Sequence, residues 1–112
     1  MIAEEVPPQS EPSFSSFREP EKTRQRREVR YRGRVQGVGF RYTVMSIARR
    51  FAVTGWVRNE PDGTVRLVAE ATPAELDRFL AAIARAMDRY IRGIDIHEMP
   101  ATDEFSRFEI RY

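Results

Sequence analysis

The sequence predicts an α+β fold in which two helices cover one face of an antiparallel sheet. Stretches of alternating polar and apolar residues, typical of half-buried strands, flank two stretches whose apolar residues recur every three or four positions, as on one face of a helix. Turn-forming residues separate the two middle strands. The resulting order, β-α-β-β-α-β with the last strand unit split in two, is the ferredoxin-like arrangement.

The composition fits a single small domain. The chain has 112 residues, of which 41% are hydrophobic and 32% charged, and domains usually run to ~100–200 residues. The absence of cysteine excludes disulfides, zinc–thiolate sites and thiol nucleophiles. No apolar run approaches the ~20 residues of a membrane span, and no signal-peptide core is visible. We therefore expect a cytoplasmic protein with no membrane partner.

The first 27 residues differ from the rest of the chain. They are rich in Pro, Ser, Glu and Arg and have no sustained periodicity. This pattern predicts a disordered N-terminal tail over residues 1–27 and a folded domain over residues 28–112. Phe14 and Phe17 leave open a short docking motif within the tail.

The first strand and the first helix are predicted from two different periods. In residues 28–35, EVRYRGRV, the apolar residues Val29, Tyr31 and Val35 alternate with arginines, which predicts a half-buried strand. From Phe40 to Phe51, apolar residues recur at i, i+4, i+7, i+8 and i+11, which is one face of a helix.

The rest of the chain continues the pattern. VTGWVRN and TVRLVAEA, residues 53–59 and 64–71, are predicted strands of a hairpin whose turn contains Pro and Gly. Thr72 suits the N-cap of the second helix, followed by Pro at the first helical position and Glu75 in a capping box. GIDIHEM and RFEIRY then alternate as two final strands.

The stretch GRVQGVGFR, residues 33–41, contains three of the six glycines. It lies between a strand and a helix start, where backbone N–H groups lack intrahelical partners and the helix dipole favours an anion. Arg41 is a cation at a helix start, which costs roughly 0.3–1 kcal/mol unless an anion is bound there. An anion site is therefore predicted; the alternative is a tight turn whose glycines serve only the backbone geometry.

Two familiar phosphate-binding loops do not fit this stretch. A P-loop needs Lys followed by Ser or Thr after its last glycine, and Phe40 and Arg41 stand there instead. A dinucleotide fingerprint needs a third glycine where Tyr42 stands, and it needs a parallel sheet.

Together with GWVRN and DGTV, this stretch resembles the acylphosphatase family over about residues 28–112. The resemblance implies a ferredoxin-like enzyme that hydrolyses the carboxyl–phosphate bond of small acyl phosphates without a metal or other cofactor, and we expect a monomer. It implies that Arg41 binds phosphate and that Asn59 holds the attacking water. It also implies that the loop residues cradle the phosphoryl group: Val35, Gln36, Gly37, Val38, Gly39, Phe40 and Arg41. The chain departs from the family pattern at RYIRG after the second helix and at Ala71.

Other functions remain open at this stage. Asn59 could be an ordinary turn residue before PDG. A ferredoxin-like sheet can bind nucleic acid through exposed aromatics, but the third strand has none, so we do not expect that partner. A noncatalytic anion sensor could use the same loop, and a similar domain occurs in hydrogenase maturation proteins, which continue into zinc-binding segments. Trp56 is expected to pack on the sheet, and His97 to be solvated.

Overall fold

The computed structural model describes residues 23–112, and the predicted tail residues 1–22, with Phe14 and Phe17, lie outside the described residues. The elements are, in chain order, β1 (Gln25–Gly33), α1 (Phe40–Ala48), β2 (Thr54–Asn59), β3 (Val65–Ala71), α2 (Pro73–Ala86), β4 (Ile91–Pro100) and β5 (Phe108–Arg111). In this part of the chain, neither helix is long and apolar enough to cross a membrane.

The strands form one five-stranded sheet in the order β4-β1-β3-β2-β5. All neighbours pair antiparallel except β2 and β5, which pair parallel. The ferredoxin-like fold is therefore confirmed, but the prediction of a fully antiparallel sheet is wrong at β5. The reason is the connection over residues 101–107, which carries the chain from the β4 edge to the free edge of β2 and reverses its direction.

A buried carboxylate holds this connection against the sheet. Glu70 of β3 is fully buried and accepts hydrogen bonds from the backbone N–H groups of Thr102 and Asp103 at 2.9 and 2.8 Å. The Arg26 guanidinium donates a further bond at 2.8 Å. Burial acts to raise the pKa of Glu70, but the hydrogen bonds from Thr102, Arg26 and Asp103 outweigh it and lower that pKa. Glu70 is therefore an ionised anchor for residues 101–107.

The core lies between the sheet and the two helices. Phe79 of α2 contacts Phe51 and Phe108 with ring centroids 5.8 and 5.6 Å apart, so one aromatic group joins helix, loop and edge strand. Helix α2 begins with the predicted N-cap, since the Thr72 side chain accepts from the Glu75 N–H at 3.3 Å and Pro73 lies in the first turn. The predicted capping box is not completed, because the Glu75 carboxylate accepts from the Ala52 N–H at 2.8 Å instead of from Thr72. Val29, Tyr31 and Val35 are buried, as the alternation predicts.

Strand β1 begins before the expected domain boundary at Glu28. Gln25 pairs with Ala71 and Pro100, so it already belongs to the sheet. Arg27 is buried and its Nη1 lies 2.6 Å from Asp77 Oδ1 of α2. Residues 25–27 are polar, so the alternation of apolar residues does not indicate a strand there. For this reason these positions resemble the tail in sequence.

The sheet face opposite the helices carries a group of arginines around the tryptophan. Trp56 is buried, and the Cζ atoms of Arg58, Arg111 and Arg66 lie 4.8, 5.1 and 5.6 Å from its ring centroid. This is the sheet packing expected from the sequence. His97, on the same face of β4, is exposed.

Candidate active site

The predicted site residues meet at one edge of the sheet. Strands β1 and β2 are both antiparallel to β3, so their carboxyl ends, at Gly33 and Asn59, lie at the same edge. The parallel pairing of β5 with β2 brings Tyr112 to this edge as well. Helix α1 begins here at Phe40, directly after the glycine loop.

The loop backbone adopts a conformation that favours glycine. Gly37 and Gly39 have φ values of +77° and +78°, in the left-handed region, which non-glycine residues enter at a cost. A Cβ atom at either position would meet no protein atom within 4 Å. Backbone conformation, rather than crowding by the protein, therefore selects glycine at these two positions.

The loop presents free backbone donors at a helix start. Among the described residues, no acceptor receives a hydrogen bond from the N–H groups of residues 36–42, whereas the next amide, that of Thr43, donates to the Gly39 carbonyl at 3.0 Å. Val35 and Phe40 are buried and fix the two ends of the loop in the core. The side chains of these two residues are therefore unavailable to an anion, and only their backbone groups face the loop's surroundings.

Gln36 turns its side chain away from the loop and towards the β2–β3 turn. Its Nε2 donates to the Glu60 and Thr64 carbonyl oxygens at 2.8 and 2.9 Å. This links the glycine loop directly to the residue after Asn59. The Gln36 side-chain donor is thus already occupied, and only its backbone N–H is available for phosphate.

Arg41 keeps its donors free. Within residues 23–112 its side chain makes no hydrogen bond or ion pair. It makes a cation–π contact with Tyr112, whose ring centroid lies 4.8 Å from the Arg41 Cζ. Arg58 and Arg66, by contrast, donate to Glu60 and Glu28 at 3.0 and 3.1 Å. Arg41 can therefore donate to an anion without breaking an existing bond.

Asn59 is the last residue of β2 and is half-buried. Its Oδ1 is buried and accepts no hydrogen bond from any described residue. Asn59 lines a shallow depression with Arg58, Glu60, Pro61 and Tyr112. A buried amide oxygen without a protein partner, on a residue that lines a depression, is an acceptor suited to a small donor such as water.

The edge as a whole brings several hydrogen-bond donors together. It offers a guanidinium, an amide side chain and a row of backbone N–H groups, all of them donors to oxygen. In the part of the chain that the structure describes, no three His, Asp or Glu side chains come together as metal ligands.

The sequence of this chain matches a known protein family over most of its length. The sequence profile of the family described as Acylphosphatase matches residues 27–110. The chain belongs to the acylphosphatase family. An acylphosphatase from Salinibacter ruber is 42% identical over 90 residues, which are 80% of this chain and 95% of that protein. One from Bacillus licheniformis is 43% identical over 81 residues, 71% of this chain and 90% of that protein.

A solved structure agrees with the sequence relationship. The crystal structure of acylphosphatase from Bacillus subtilis matches with a TM-score of 0.71 at 32% identity, over 79% of this chain and 99% of that one. The family and the ferredoxin-like fold expected from the sequence are confirmed.

Sequence reasoning did not identify two contacts at this edge. The bond from Gln36 to the turn joins residues 24 and 28 positions apart, and no local pattern indicates such a pair. Tyr112 looks like one more strand residue in RFEIRY, and only the parallel pairing of β5 brings it to Arg41.

Proposed function

We propose that this chain is an enzyme that hydrolyses the carboxyl–phosphate bond of acyl phosphates, with Arg41 and the backbone of residues 35–41 holding the phosphoryl group and Asn59 orienting the attacking water. Membership of the acylphosphatase family supports the reaction class. The observation that carries the residue roles is the meeting of uncommitted donors at one sheet edge: the loop amides and Arg41 beside an unpartnered Asn59 Oδ1.

The site matches the demands of this reaction. In phosphoryl transfer, negative charge spreads over the three equatorial oxygens of a loose transition state, so catalysis depends on positioning and charge stabilisation. A guanidinium together with preorganised N–H groups supplies that stabilisation. The carboxylate leaving group is a weak base and departs with the electron pair of the P–O bond without needing a proton. No general acid is therefore required.

Asn59 acts on the nucleophile in this scheme. Its amide fixes the direction of a water molecule in line with the leaving carboxylate, which contributes through orientation. An amide cannot remove a proton from water. As the new P–O bond forms, a proton of the water passes to a phosphoryl oxygen of the substrate, and the products are a carboxylate and inorganic phosphate.

The same scheme needs no metal ion or cofactor, and we propose that the reaction is metal-independent. Purified protein should release phosphate from acetyl phosphate and benzoyl phosphate at the same rate with and without EDTA. Loss of turnover in EDTA with recovery on adding magnesium would contradict the scheme.

Two substitutions separate the roles of the site residues. Arg41→Ala should weaken both inhibition by inorganic phosphate and kcat/KM, since a lost charge-assisted phosphate contact is worth about 2–4 kcal/mol, or roughly 30- to 1000-fold in rate. Asn59→Ala should lower kcat strongly and leave phosphate inhibition nearly intact. Arg50→Ala, at an exposed arginine beyond the other end of α1, is the matched control. If phosphate inhibition weakened equally in Asn59→Ala and Arg41→Ala, Asn59 would be a phosphate ligand instead.

We also propose that the protein is a monomer and is cytoplasmic, as expected from the sequence. A nucleic-acid partner is not favoured, because the open face of the central strands β1 and β3 consists of arginine, glutamate and valine and offers no exposed aromatic ring.

A further inference from the structure

The placement of the Arg41 side chain raises a physical question. A free arginine side chain loses much rotamer entropy when it is held in one position, so a guanidinium that must meet a phosphate benefits from being held in advance. A carboxylate partner would hold it, but would also occupy its N–H groups and neutralise the charge that the phosphate needs. Among the described residues no carboxylate contacts Arg41.

The Tyr112 ring provides a contact of a different kind. The Arg41 Cζ lies over this ring, 4.8 Å from its centroid. An aromatic face attracts a cation through its quadrupole, and it does not occupy the N–H groups at the edge of the guanidinium as a carboxylate would. Tyr112 can therefore orient Arg41 and leave its donors available to a phosphoryl group.

The fold places Tyr112 for this contact. Strand β5 pairs parallel with β2 up to Arg111 opposite Arg58, so the next residues, Tyr112 and Asn59, end side by side and line one depression. Hydrogen bonding with Tyr42 raises the pKa of Tyr112. The ring thus lies next to both proposed site residues.

We propose that Tyr112 is a positioning residue that holds the Arg41 guanidinium ready for the phosphoryl group through a cation–π contact. This inference rests on the proposed role of Arg41 in binding phosphate. Tyr112 itself touches Arg41 and takes no part in bond making or breaking.

The test compares Tyr112→Leu with Tyr112→Phe. Tyr112→Leu should weaken phosphate inhibition and lower kcat/KM to a similar extent, by roughly two- to five-fold, the range of a solvent-exposed cation–π contact. Tyr112→Phe keeps the ring and should restore both values to those of the unmodified protein. Phe105→Leu is the matched control, because Phe105 carries a similar stack, with Arg26 at 5.0 Å, away from the site.

A double-substitution cycle distinguishes this inference from the function on which it rests. In an Arg41→Ala background, Tyr112→Leu should have no further effect on kcat/KM, since the contact is already gone. An undiminished effect in that background, or a Tyr112→Leu protein with unchanged phosphate inhibition, would overturn the positioning role. If Arg41→Ala alone kept full activity and phosphate inhibition, the proposed phosphate site itself would fail.

Discussion

Replacing Gln36 with methionine would test whether the glycine loop must be held to the β2–β3 turn. The variant keeps the length of the side chain and loses both bonds, to the Glu60 and Thr64 carbonyls. A net contribution of about 0.5–1.5 kcal/mol per bond gives an upper limit of about 3 kcal/mol. Both carbonyls keep a backbone partner: the Glu60 carbonyl accepts from the Gly63 N–H at 3.1 Å, and the Thr64 carbonyl accepts from the Glu60 N–H at 2.8 Å. Neither carbonyl therefore becomes unsatisfied.

The expected loss of stability therefore lies near the lower end, about 1 kcal/mol, or roughly 4–8 °C in Tm for a domain of this size. The effect on turnover should be larger. A misplacement of about 1 Å between reacting groups can cost up to ~100-fold, so we expect kcat to fall about 10-fold or more. Phosphate inhibition should change little, because the loop amides and Arg41 remain.

Thermal unfolding, steady-state kinetics with benzoyl phosphate and phosphate inhibition provide the three readouts. Gln25→Met is the matched control: the Gln25 Oε1 also takes part in two side-chain bonds, both from Arg27 at 3.3 Å, at the opposite end of the sheet. It should leave kcat unchanged. If phosphate inhibition weakened in Gln36→Met in proportion to the loss of kcat, the side chain would be a phosphate ligand and the reasoning would be refuted. An unchanged kcat would refute it as well, because the bonds to the turn would then not matter for turnover.

Three further predictions concern the anchor, the boundary and the loop. Glu70→Gln should cost about 3 kcal/mol or more at pH 7, as for a broken buried ion pair, with the exposed Glu104→Gln as control. Because the pKa of Glu70 is lowered on folding, its stabilisation is present above the ordinary glutamate pKa and lost as pH falls through the folded-state pKa. In urea unfolding, the difference in unfolding free energy between the unmodified protein and Glu70→Gln should therefore shrink at acid pH. A difference that stays constant with pH would contradict this. A chain that starts at Thr23 should keep the Tm and activity of the full chain, whereas one that starts at Glu28 should lose several degrees because it lacks Arg27 and its bond to Asp77; equal melting of the two would show that residues 25–27 are dispensable. Gly39→Ala should lower the free energy of unfolding by roughly 1–2 kcal/mol because of its left-handed backbone, and it should also reduce turnover. Gly63→Ala, at another left-handed position but in the β2–β3 turn, should lower stability with less effect on turnover. Similar kinetics in both variants would show that the shape of the glycine loop does not matter for catalysis.

The elements of this fold could be predicted because their causes are local. The Thr72 cap, the turn before Thr64 and the period from Phe40 to Phe51 each act within a few residues. The glycine loop and the helix start already indicated an anion site at Arg41, the resemblance added the role of Asn59, and the structure brings both residues to one edge.

The remaining features depend on contacts between distant segments. The direction of β5 is set by where residues 101–107 can cross the sheet, and that path depends on a buried glutamate that local patterns do not reveal. Residues 25–27 resemble the tail in sequence because Arg26 and Arg27 are polar, yet they pair within β1, and Arg27 is buried against Asp77. Local sequence shows what a residue is, but not which residue it meets across the sheet.

The surroundings of Trp56 have a consequence for how this protein can be studied. It is the only tryptophan in the chain, and on the alternating strand β2 it points to the face opposite that of Val57 and Asn59. Its indole is shielded by three guanidiniums and becomes hydrated only when the sheet comes apart. Its fluorescence emission should therefore shift to longer wavelength on unfolding and stay nearly constant when phosphate binds. One optical signal thus reports the integrity of the sheet independently of the occupancy of the site.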